Sequence, residues 1–324
     1  MRADIGWTEA HVRTTRDLTP SVRLIEFVPE TGGAAWSPGG HLDVGVVVDG
    51  RADVRSYSLV GEPDSGCFRI AVQREDGGRG GSRYMWSLTP GSRLTVSAPR
   101  NLFELELGRP EYLLVAGGIG ITPMVGMAHA LERRGARFRL AYAGRSRRHM
   151  PLIAELARRL GERLSVHASD EGSRLDLAGA IARLHPDAQL YVCGPMRLLD
   201  AGRKAWAEAG RPPTALRYET FANSGRHAIE PFFVRIPNEN IEIMVPENKT
   251  MLDALVEAGV DVMWDCRRGE CGICAIDVIE VVGGIDHRDV FLSDGQKRRN
   301  GKICTCVSRG FGGGVVIDAG YRPD

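Results

Sequence analysis

Hydrophobic and polar residues alternate over short stretches in the first third of the 324-residue chain. Runs at 22–28, 41–48, 67–73 and 93–96 show this alternation, and turns rich in glycine and proline separate them. Many short strands with such turns are typical of an antiparallel barrel or sandwich. The pattern therefore predicts an antiparallel β-barrel or β-sandwich domain over residues 1–107.

From residue 108 to 223 the pattern changes to short apolar strands that alternate with amphipathic helices. The predicted strands are 112–116, 138–143, 164–168, 189–193 and 215–220, and the later predicted helices are 150–160, 176–184 and 195–208. The first helix follows strand 112–116, with Thr122 as its N-cap and Gly135 at its end. Such alternation predicts an α/β domain with a parallel sheet and crossover helices.

Residues 224–231 are predicted to be a linker, and a third domain is predicted over 232–324. Two strands, a helix over 251–258 and strands near 275–281 and 314–318 flank a group of closely spaced cysteines. The chain is therefore expected to contain three domains in a row.

Charge and composition exclude several classes of protein. The chain carries 42 Lys and Arg against 41 Asp and Glu, so no global basic field points to nucleic acid. The uncharged run 113–131 is interrupted by Gly117, Gly118 and Pro123, and a strand, a loop and a helix explain it better than a membrane span. Because the N-terminus has no apolar targeting segment, we expect a cytoplasmic protein that binds neither nucleic acid nor membranes.

The cysteines of the third domain suggest a metal group. Cys266, Cys271 and Cys274 have the C-x4-C-x2-C spacing of a plant-type [2Fe–2S] cluster. The cluster needs a fourth thiolate, which Cys304 or Cys306 can supply. The alternative is a structural zinc site formed by the last four of these cysteines, which would leave Cys266 without a role.

A second candidate site lies in the predicted barrel. Residues 55–58, Arg-Ser-Tyr-Ser, offer a guanidinium, hydroxyls and an aromatic ring to a phosphate and a flat ring system. Residues 80–82, Gly-Gly-Ser, offer small residues and a hydroxyl suited to an anion. The two stretches together suit a ligand that carries a phosphate and a flat ring system.

Glycine-rich stretches also follow two predicted strands of the α/β domain. Gly117, Gly118 and Gly120 lie between a strand and a helix, where amide groups favour a pyrophosphate. Residues 193–196, Cys-Gly-Pro-Met, follow a later strand in the same way. Because such strand ends meet at one edge of a parallel sheet, the two stretches predict a nucleotide-binding crevice.

Three stretches of the cysteine-rich domain resemble the ferredoxin domain of the phthalate dioxygenase reductase and vanillate demethylase reductase family. They are residues 266–274, Asp286-His-Arg-Asp289 and Cys306-Val-Ser-Arg309. The resemblance implies a C-terminal β-grasp ferredoxin domain. It also implies Cys306 as the fourth ligand, because the last ligand of that family precedes Val-Ser-Arg. Counting from Asp286 instead leaves Cys304 open.

The resemblance extends to the other two domains and implies site residues there. Flavin contacts are implied for Arg55, Ser56, Tyr57, Ser58, Gly80, Gly81 and Ser82, and along the ring for Ala71, Val72 and Gln73. Nicotinamide nucleotide contacts are implied for Gly117, Gly118, Gly120, Thr122, Arg145, Ser146, Cys193, Gly194, Pro195 and Met196. Thr122 and Cys193 are implied at the reacting ring, with Phe221 covering the flavin.

The family's activity completes the expectation. The resemblance implies that NADH delivers a hydride to FMN, and that single electrons pass through the [2Fe–2S] cluster to a terminal Rieske-type oxygenase. It also implies a monomer. The sequence alone leaves FAD and NADPH open. Two other hypotheses are a stand-alone flavin reductase with a zinc site, and a carrier whose nucleotide sites are vestigial.

Overall fold

The computed structural model describes residues 6–63, 66–221, 225 and 227–319. Contacts divide the chain into two compact units, Met1–Glu219 and Thr220–Asp324. In the part of the chain that is described, no helix is long and apolar enough to cross a membrane.

The first unit begins with a six-stranded antiparallel sheet. Its strands, in the order β4-β3-β6-β1-β2-β5 across the sheet, are β1 (Trp7–Thr19), β2 (Val22–Pro29), β3 (His41–Val48), β4 (Arg51–Ser58), β5 (Phe68–Gln73) and β6 (Arg93–Ser97). A bridge between Leu59 and Ile70 joins the two edge strands and curls the sheet into a half-barrel. Leu42, Val44 and Val46 face its interior with a period of two. Helix α1 (Gly81–Ser87) packs against this interior through the buried Met85.

A five-stranded parallel sheet follows in the same unit. Its order is β11-β10-β7-β8-β9, with β7 (Tyr112–Gly117), β8 (Phe138–Gly144), β9 (Leu164–Ala168), β10 (Gln189–Cys193) and β11 (Leu216–Glu219). The helices between them are α2 (Ile121–Arg133), α3 (Ile153–Leu160), α4 (Leu177–Ala182) and α5 (Met196–Glu208). Strand order reverses between β7 and β10, and the carboxyl ends at such a switch point form a ligand crevice.

The predicted N-cap of α2 is wrong. Helix α2 begins at Ile121 and Gly120 is its N-cap, because a 3-10 turn over Gly118–Gly120 leads directly into the helix. Thr122 lies inside the first turn, where its hydroxyl donates to the Ile119 carbonyl at 3.0 Å.

The second unit contains a mixed five-stranded sheet with a helix on one face. The order is β13-β12-β16-β14-β15, with β12 (Phe232–Ile236), β13 (Ile241–Val245), β14 (Ala275–Asp286), β15 (Lys302–Cys304) and β16 (Arg309–Asp318). Helix α6 (Met251–Glu257) packs on the sheet through Met251 and Leu255, and a short helix α7 (Asp294–Arg299) follows the cysteine loop. The predicted fold class, a flavin barrel, a parallel-sheet domain and a ferredoxin domain, is confirmed.

The predicted linker, 224–231, lies partly outside the described residues. Its described end lies against the second unit. The His227 ring stacks on the Phe311 ring with centroids 3.8 Å apart, and Arg309 donates to the Glu230 carbonyl at 3.1 Å. Residues 227–230 therefore pack as part of the ferredoxin unit.

Candidate functional site

The cysteine loop of the second unit is folded tightly around two glycines. Gly269 and Gly272 have φ values of +74° and +76°, which favour glycine. A Cβ at Gly269 would lie 2.6 Å from the Val307 side chain, and one at Gly272 would lie 2.3 Å from the Phe291 ring. The loop can therefore close against its neighbours only with glycine at both positions.

The thiols of this loop are gathered and directed by backbone amides. The sulfur atoms of Cys274 and Cys306 are 3.1 Å apart, and both residues are buried. The Cys266 sulfur accepts the amides of Arg268 and Cys271, each at 3.4 Å. Thiol hydrogen bonds from Cys304 and Cys306 lower the pKa of Cys274 to about 3, and the thiolate is the form that binds metal.

Cys304 and Cys306 have different surroundings although only Thr305 separates them. The Cys306 sulfur accepts a hydrogen bond from the Gly269 amide in the cysteine loop and interacts electrostatically with Cys266. Cys304 is fully buried at the end of β15, opposite Ala275. The amides of Val307 and Ser308 donate to the Cys304 carbonyl at 3.3 and 3.0 Å, so the chain turns sharply between the two cysteines.

A buried carboxylate anchors the loop. Asp289 has no exposed surface and accepts the Leu292 amide at 2.8 Å and the Ser308 hydroxyl at 3.1 Å. Burial alone would raise the pKa of Asp289, but the His287 ring 3.6 Å away, the charge of Lys297 and the hydrogen bond from the Leu292 amide hold it below its usual value. Asp289 is thus a buried, ionised carboxylate that joins the Asp-His-Arg-Asp stretch to Ser308, two residues after Cys306.

In the first unit, Arg55 connects the two predicted pieces of the flavin site. Its guanidinium pairs with Asp53 at 2.6 Å and donates to the Arg79 carbonyl at 3.3 Å. A Cβ on Gly81 would lie 2.5 Å from the Arg55 Nε atom, so this glycine lets the arginine approach the start of α1. The structure therefore brings residues 55–58 and 80–82 together.

The other predicted flavin residues differ in what their side chains do. The Ser56 hydroxyl already donates a hydrogen bond to the Asp43 carboxylate at 2.5 Å. The Ser82 hydroxyl accepts the Glu75 amide at 3.0 Å and closes the loop 75–82. Burial raises the pKa of Tyr57, which stays a neutral phenol. Residues 71–73 lie on β5, the edge strand, and the Val72 carbonyl accepts the Trp86 indole at 3.0 Å.

The two glycine-rich strand ends of the parallel sheet touch each other through their backbones. A Cβ on Gly120 would lie 2.3 Å from the Cys193 carbonyl oxygen, and one on Gly194 would lie 2.9 Å from the Gly117 Cα. Gly118 has φ +55°, and a Cβ there would meet nothing within 4 Å. The contacts of Gly117, Gly120 and Gly194 thus form the floor of the crevice between β7 and β10, and Gly118 borders its open side.

Tyr142, a residue that sequence reasoning missed, holds this loop. Its hydroxyl donates to the Gly118 carbonyl at 3.1 Å from the neighbouring strand β8. Burial raises the pKa of Tyr142, so the hydroxyl stays a donor. No local pattern could identify Tyr142, because strand pairing brings it to the loop from 24 residues away.

The remaining predicted nicotinamide residues lie at or near the same edge. Arg145 is exposed after β8, and its carbonyl accepts the Asp170 amide at 3.0 Å, which ties the loops after β8 and β9. Ser146 follows it, and Cys193 is fully buried at the end of β10. Phe221, which was predicted to cover the flavin and not to bind the nicotinamide nucleotide, is half-buried and lies two residues after β11.

Comparison with known proteins decides the family. The 2Fe-2S iron-sulfur cluster binding domain matches residues 234–309. The chain is 37% identical to the heme-dependent oxidative N-demethylase beta subunit of Ectopseudomonas mendocina (strain ymp), over 96% of this chain and 98% of that protein. It is 35% identical to a toluene-4-sulfonate monooxygenase system reductase subunit of Comamonas testosteroni, over 98% of this chain and 100% of that protein. The solved structure of phthalate dioxygenase reductase matches with TM-score 0.75 and 30% identity, over 97% of this chain and 98% of that one.

The chain belongs to the phthalate dioxygenase reductase-like family. Like the family, this reductase combines flavin- and nicotinamide-binding parts with a C-terminal plant-type ferredoxin domain. It is the reductase subunit of a multicomponent monooxygenase, demethylase or dioxygenase system, and it transfers electrons from NAD(P)H through a flavin and a [2Fe–2S] cluster. The family, the activity and the cluster predicted from the sequence are confirmed. The zinc and vestigial-carrier hypotheses are set aside.

The residues of this reductase fit both groups. In the barrel, the Ser58 hydroxyl is buried and has no hydrogen-bond partner among the described residues. Leaving such a group unsatisfied costs about 1–3 kcal/mol, and a flavin can supply the partner. In the ferredoxin unit, no three His, Cys, Asp or Glu side chains of the described ranges converge closely enough to hold a single ion. In the same unit the Cys266 sulfur accepts two backbone amides and the Cys274 and Cys306 sulfurs lie 3.1 Å apart, which is a thiolate set lined by amides that a [2Fe–2S] cluster can take.

Proposed function

We propose that this reductase uses NADH and FMN to supply electrons to a Rieske-type oxygenase, with Cys266, Cys271, Cys274 and Cys306 as the cluster ligands. When bound, the flavin accepts a hydride and the cluster carries single electrons. The observation that carries the proposal is the position of Cys306, whose sulfur lies 3.1 Å from Cys274 and faces the cysteine loop.

The ligand assignment follows from the direction of each thiol. Cys306 receives the Gly269 amide and its sulfur lies 3.1 Å from that of Cys274, as expected of a cluster ligand in this loop, whereas Cys304 pairs with Ala275 at the end of β15. Backbone amides near the sulfurs stabilise the negative charge of the ligated cluster. The thiols directed into the loop are therefore the ligands.

Replacing each of the two cysteines in turn tests the ligand assignment. Cys306→Ser is expected to abolish or strongly alter the [2Fe–2S] absorbance and lower the iron content, while Cys304→Ser keeps two irons per chain. The two variants are matched because they make the same change two residues apart. Iron content and the visible spectrum of the full chain are the measurements. The reverse result would exclude Cys306 as the ligand.

The flavin site supports FMN. Arg55 provides one cation at Gly81, the Ser58 hydroxyl is available, and residues 80–82 lie beside them. This set suits a single phosphate group. Heat-released flavin treated with phosphodiesterase distinguishes the two flavins, since only FAD then gains fluorescence. Arg55→Gln is expected to lower the bound flavin, whereas Arg13→Gln on the exposed side of β1 leaves it unchanged.

The choice of NADH rests on the charges at the loops after β8 and β9. Gly118 and the 193–196 stretch border the crevice, and the carboxylates of Asp170 and Glu171 follow the neighbouring strand β9. Glu171 already pairs with Arg147 at 2.8 Å. Acidic residues near the ribose favour its free hydroxyl over a phosphate. We expect a lower KM for NADH than for NADPH, and the opposite order would refute this choice.

The full-length match to the toluene-4-sulfonate monooxygenase system reductase subunit supports an oxygenase that acts on a small organic compound. The match to a subunit of a heme-dependent demethylase makes a heme protein the second candidate partner. The test is NADH consumption by this reductase in the presence of each purified terminal component and its substrate. Substrate-dependent turnover only with the heme component would replace the Rieske-type partner.

A further inference from the structure

Cys304 is a fifth cysteine beside the cluster loop that the four-ligand set leaves without a role. It has no exposed surface and packs in a small apolar core with Leu252, Leu292 and Val307. A buried cysteine in such a core usually acts as a small apolar residue. The position of Cys304 beside Cys274 allows a more specific role.

Three backbone and side-chain contacts hold the segment that contains Cys304 against Cys274. Cys304 pairs with Ala275 in the sheet, directly after Cys274. The Thr305 amide and hydroxyl both donate to the Cys274 carbonyl, each at 3.1 Å. Cys274 and Cys304 also pack in the same buried cluster, and hydrogen bonding from Cys304 is the first of the interactions that lower the pKa of Cys274.

We propose that the Cys304 S–H group donates a hydrogen bond to the Cys274 sulfur and thereby raises the reduction potential of the [2Fe–2S] cluster. The inference rests on the proposed function, in which Cys274 and Cys306 are ligands and Cys304 is not. Hydrogen bonds to the ligand sulfurs and burial are two of the factors that set such potentials. A donor stabilises the reduced cluster more than the oxidised one, because the reduced cluster carries one more negative charge.

This placement makes Cys304 a positioning residue and not a ligand. A higher cluster potential favours electron transfer from the flavin onto the cluster and lowers the driving force for transfer to the oxygenase. Cys304 would thus set the balance between electron transfer from the flavin to the cluster and electron transfer from the cluster to the oxygenase.

The test is a redox titration of the full chain, followed by the visible and electron paramagnetic resonance spectra of the cluster. Cys304→Ala is expected to keep two irons per chain and to reduce the equilibrium constant for one-electron reduction about three- to tenfold. A tenfold change corresponds to a fall of about 59 mV. Cys304→Ser retains a donor and is expected to stay closer to the unaltered protein. Cys67→Ala, which removes a cysteine from the first unit, is expected to have no effect.

The outcomes separate this inference from the ligand assignment. An unchanged potential with full iron content in Cys304→Ala would refute the hydrogen bond and leave Cys306 as the ligand. Loss of iron from Cys304→Ala and Cys304→Ser, with iron retained in Cys306→Ser, would refute both. If the alanine variant does not fold, Cys304→Val replaces it, and a potential for Cys304→Ser that is no higher than that of the valine variant overturns the proposal.

Discussion

Gly118 and Gly135 form a matched pair that tests the nucleotide crevice. Both have left-handed backbones, with φ +55° and +62°, and a Cβ on either would meet nothing within 4 Å. Gly118 lies in the crevice between β7 and β10, whereas Gly135 follows the far end of α2. The 13 residues of that helix span about 20 Å. An alanine at either site therefore has the same backbone cost and a different functional position.

The expected stability loss is the same for both variants. A left-handed alanine costs about 1–2 kcal/mol, and neither site adds a steric clash. For a unit of this size, 1 kcal/mol lowers Tm by about 2–4 °C. Gly118→Ala and Gly135→Ala should thus each melt about 2–8 °C lower, measured by flavin release on heating.

Only Gly118→Ala is expected to weaken NADH binding. Its methyl group would enter the open side of the loop, beside the carbonyl that Tyr142 holds. We expect the KM for NADH to rise about tenfold or more, which is ~1.4 kcal/mol of binding energy, while Gly135→Ala keeps the KM of the unaltered protein. Steady-state reduction of ferricyanide measures this without an oxygenase. Equal KM values in the two variants would show that the nucleotide does not bind at this crevice.

Three further changes test other parts of the molecule. Ser58→Ala should not lower the Tm of the flavin-free chain, because the hydroxyl has no partner among the described residues, and it should raise the flavin Kd about tenfold in a fluorescence titration. A less stable flavin-free chain would contradict this. Hydrogen bonding and charge from Arg159 lower the pKa of Glu132 in the folded chain. The stabilisation of the folded state by ionised Glu132 is therefore complete above the unfolded pKa, about 4.3, and is lost as pH falls through the lower folded pKa. Glu132→Gln should therefore cost about 0.5–1 kcal/mol in urea unfolding at pH 7 and less at pH 3, and an equal cost at both would refute the pairing. Gly272→Ala should reduce iron per chain, since its Cβ would lie 2.3 Å from the Phe291 ring, and full iron content would show that the loop can open without harm.

Local sequence rules found the regular elements of the parallel sheet better than those of the barrel. The strands 138–143 and 189–193 are mostly apolar and buried, so their pattern is clear, and the structure contains β8 and β10 there. The edge strand β9 also forms at 164–168, although only Ala168 is buried. Strands β1 and β4 and helix α1 gave no clear pattern, because their faces mix polar and apolar residues. Their positions depend on the sheet around them.

The sequence by itself determined the order of the domains and the kind of chemistry. The C-x4-C-x2-C spacing, the two glycine-rich strand ends and the 55–58 stretch are local, because a turn or a ligand loop needs its residues within a few positions of one another. These motifs, through their resemblance to a reductase family, pointed to a flavin, a nicotinamide nucleotide and an iron–sulfur cluster before any contact was known.

Only the tertiary structure distinguished the surroundings of Cys304 and Cys306. On a continuing strand the two side chains would point to the same face, so their spacing could not separate them. The strand ends at Cys304, where two amides donate to its carbonyl, and the turn directs Cys306 toward the Gly269 amide. The same holds for Tyr142, which reaches Gly118 through strand pairing. Contacts between distant segments form only when the chain has folded, and local sequence patterns do not contain them.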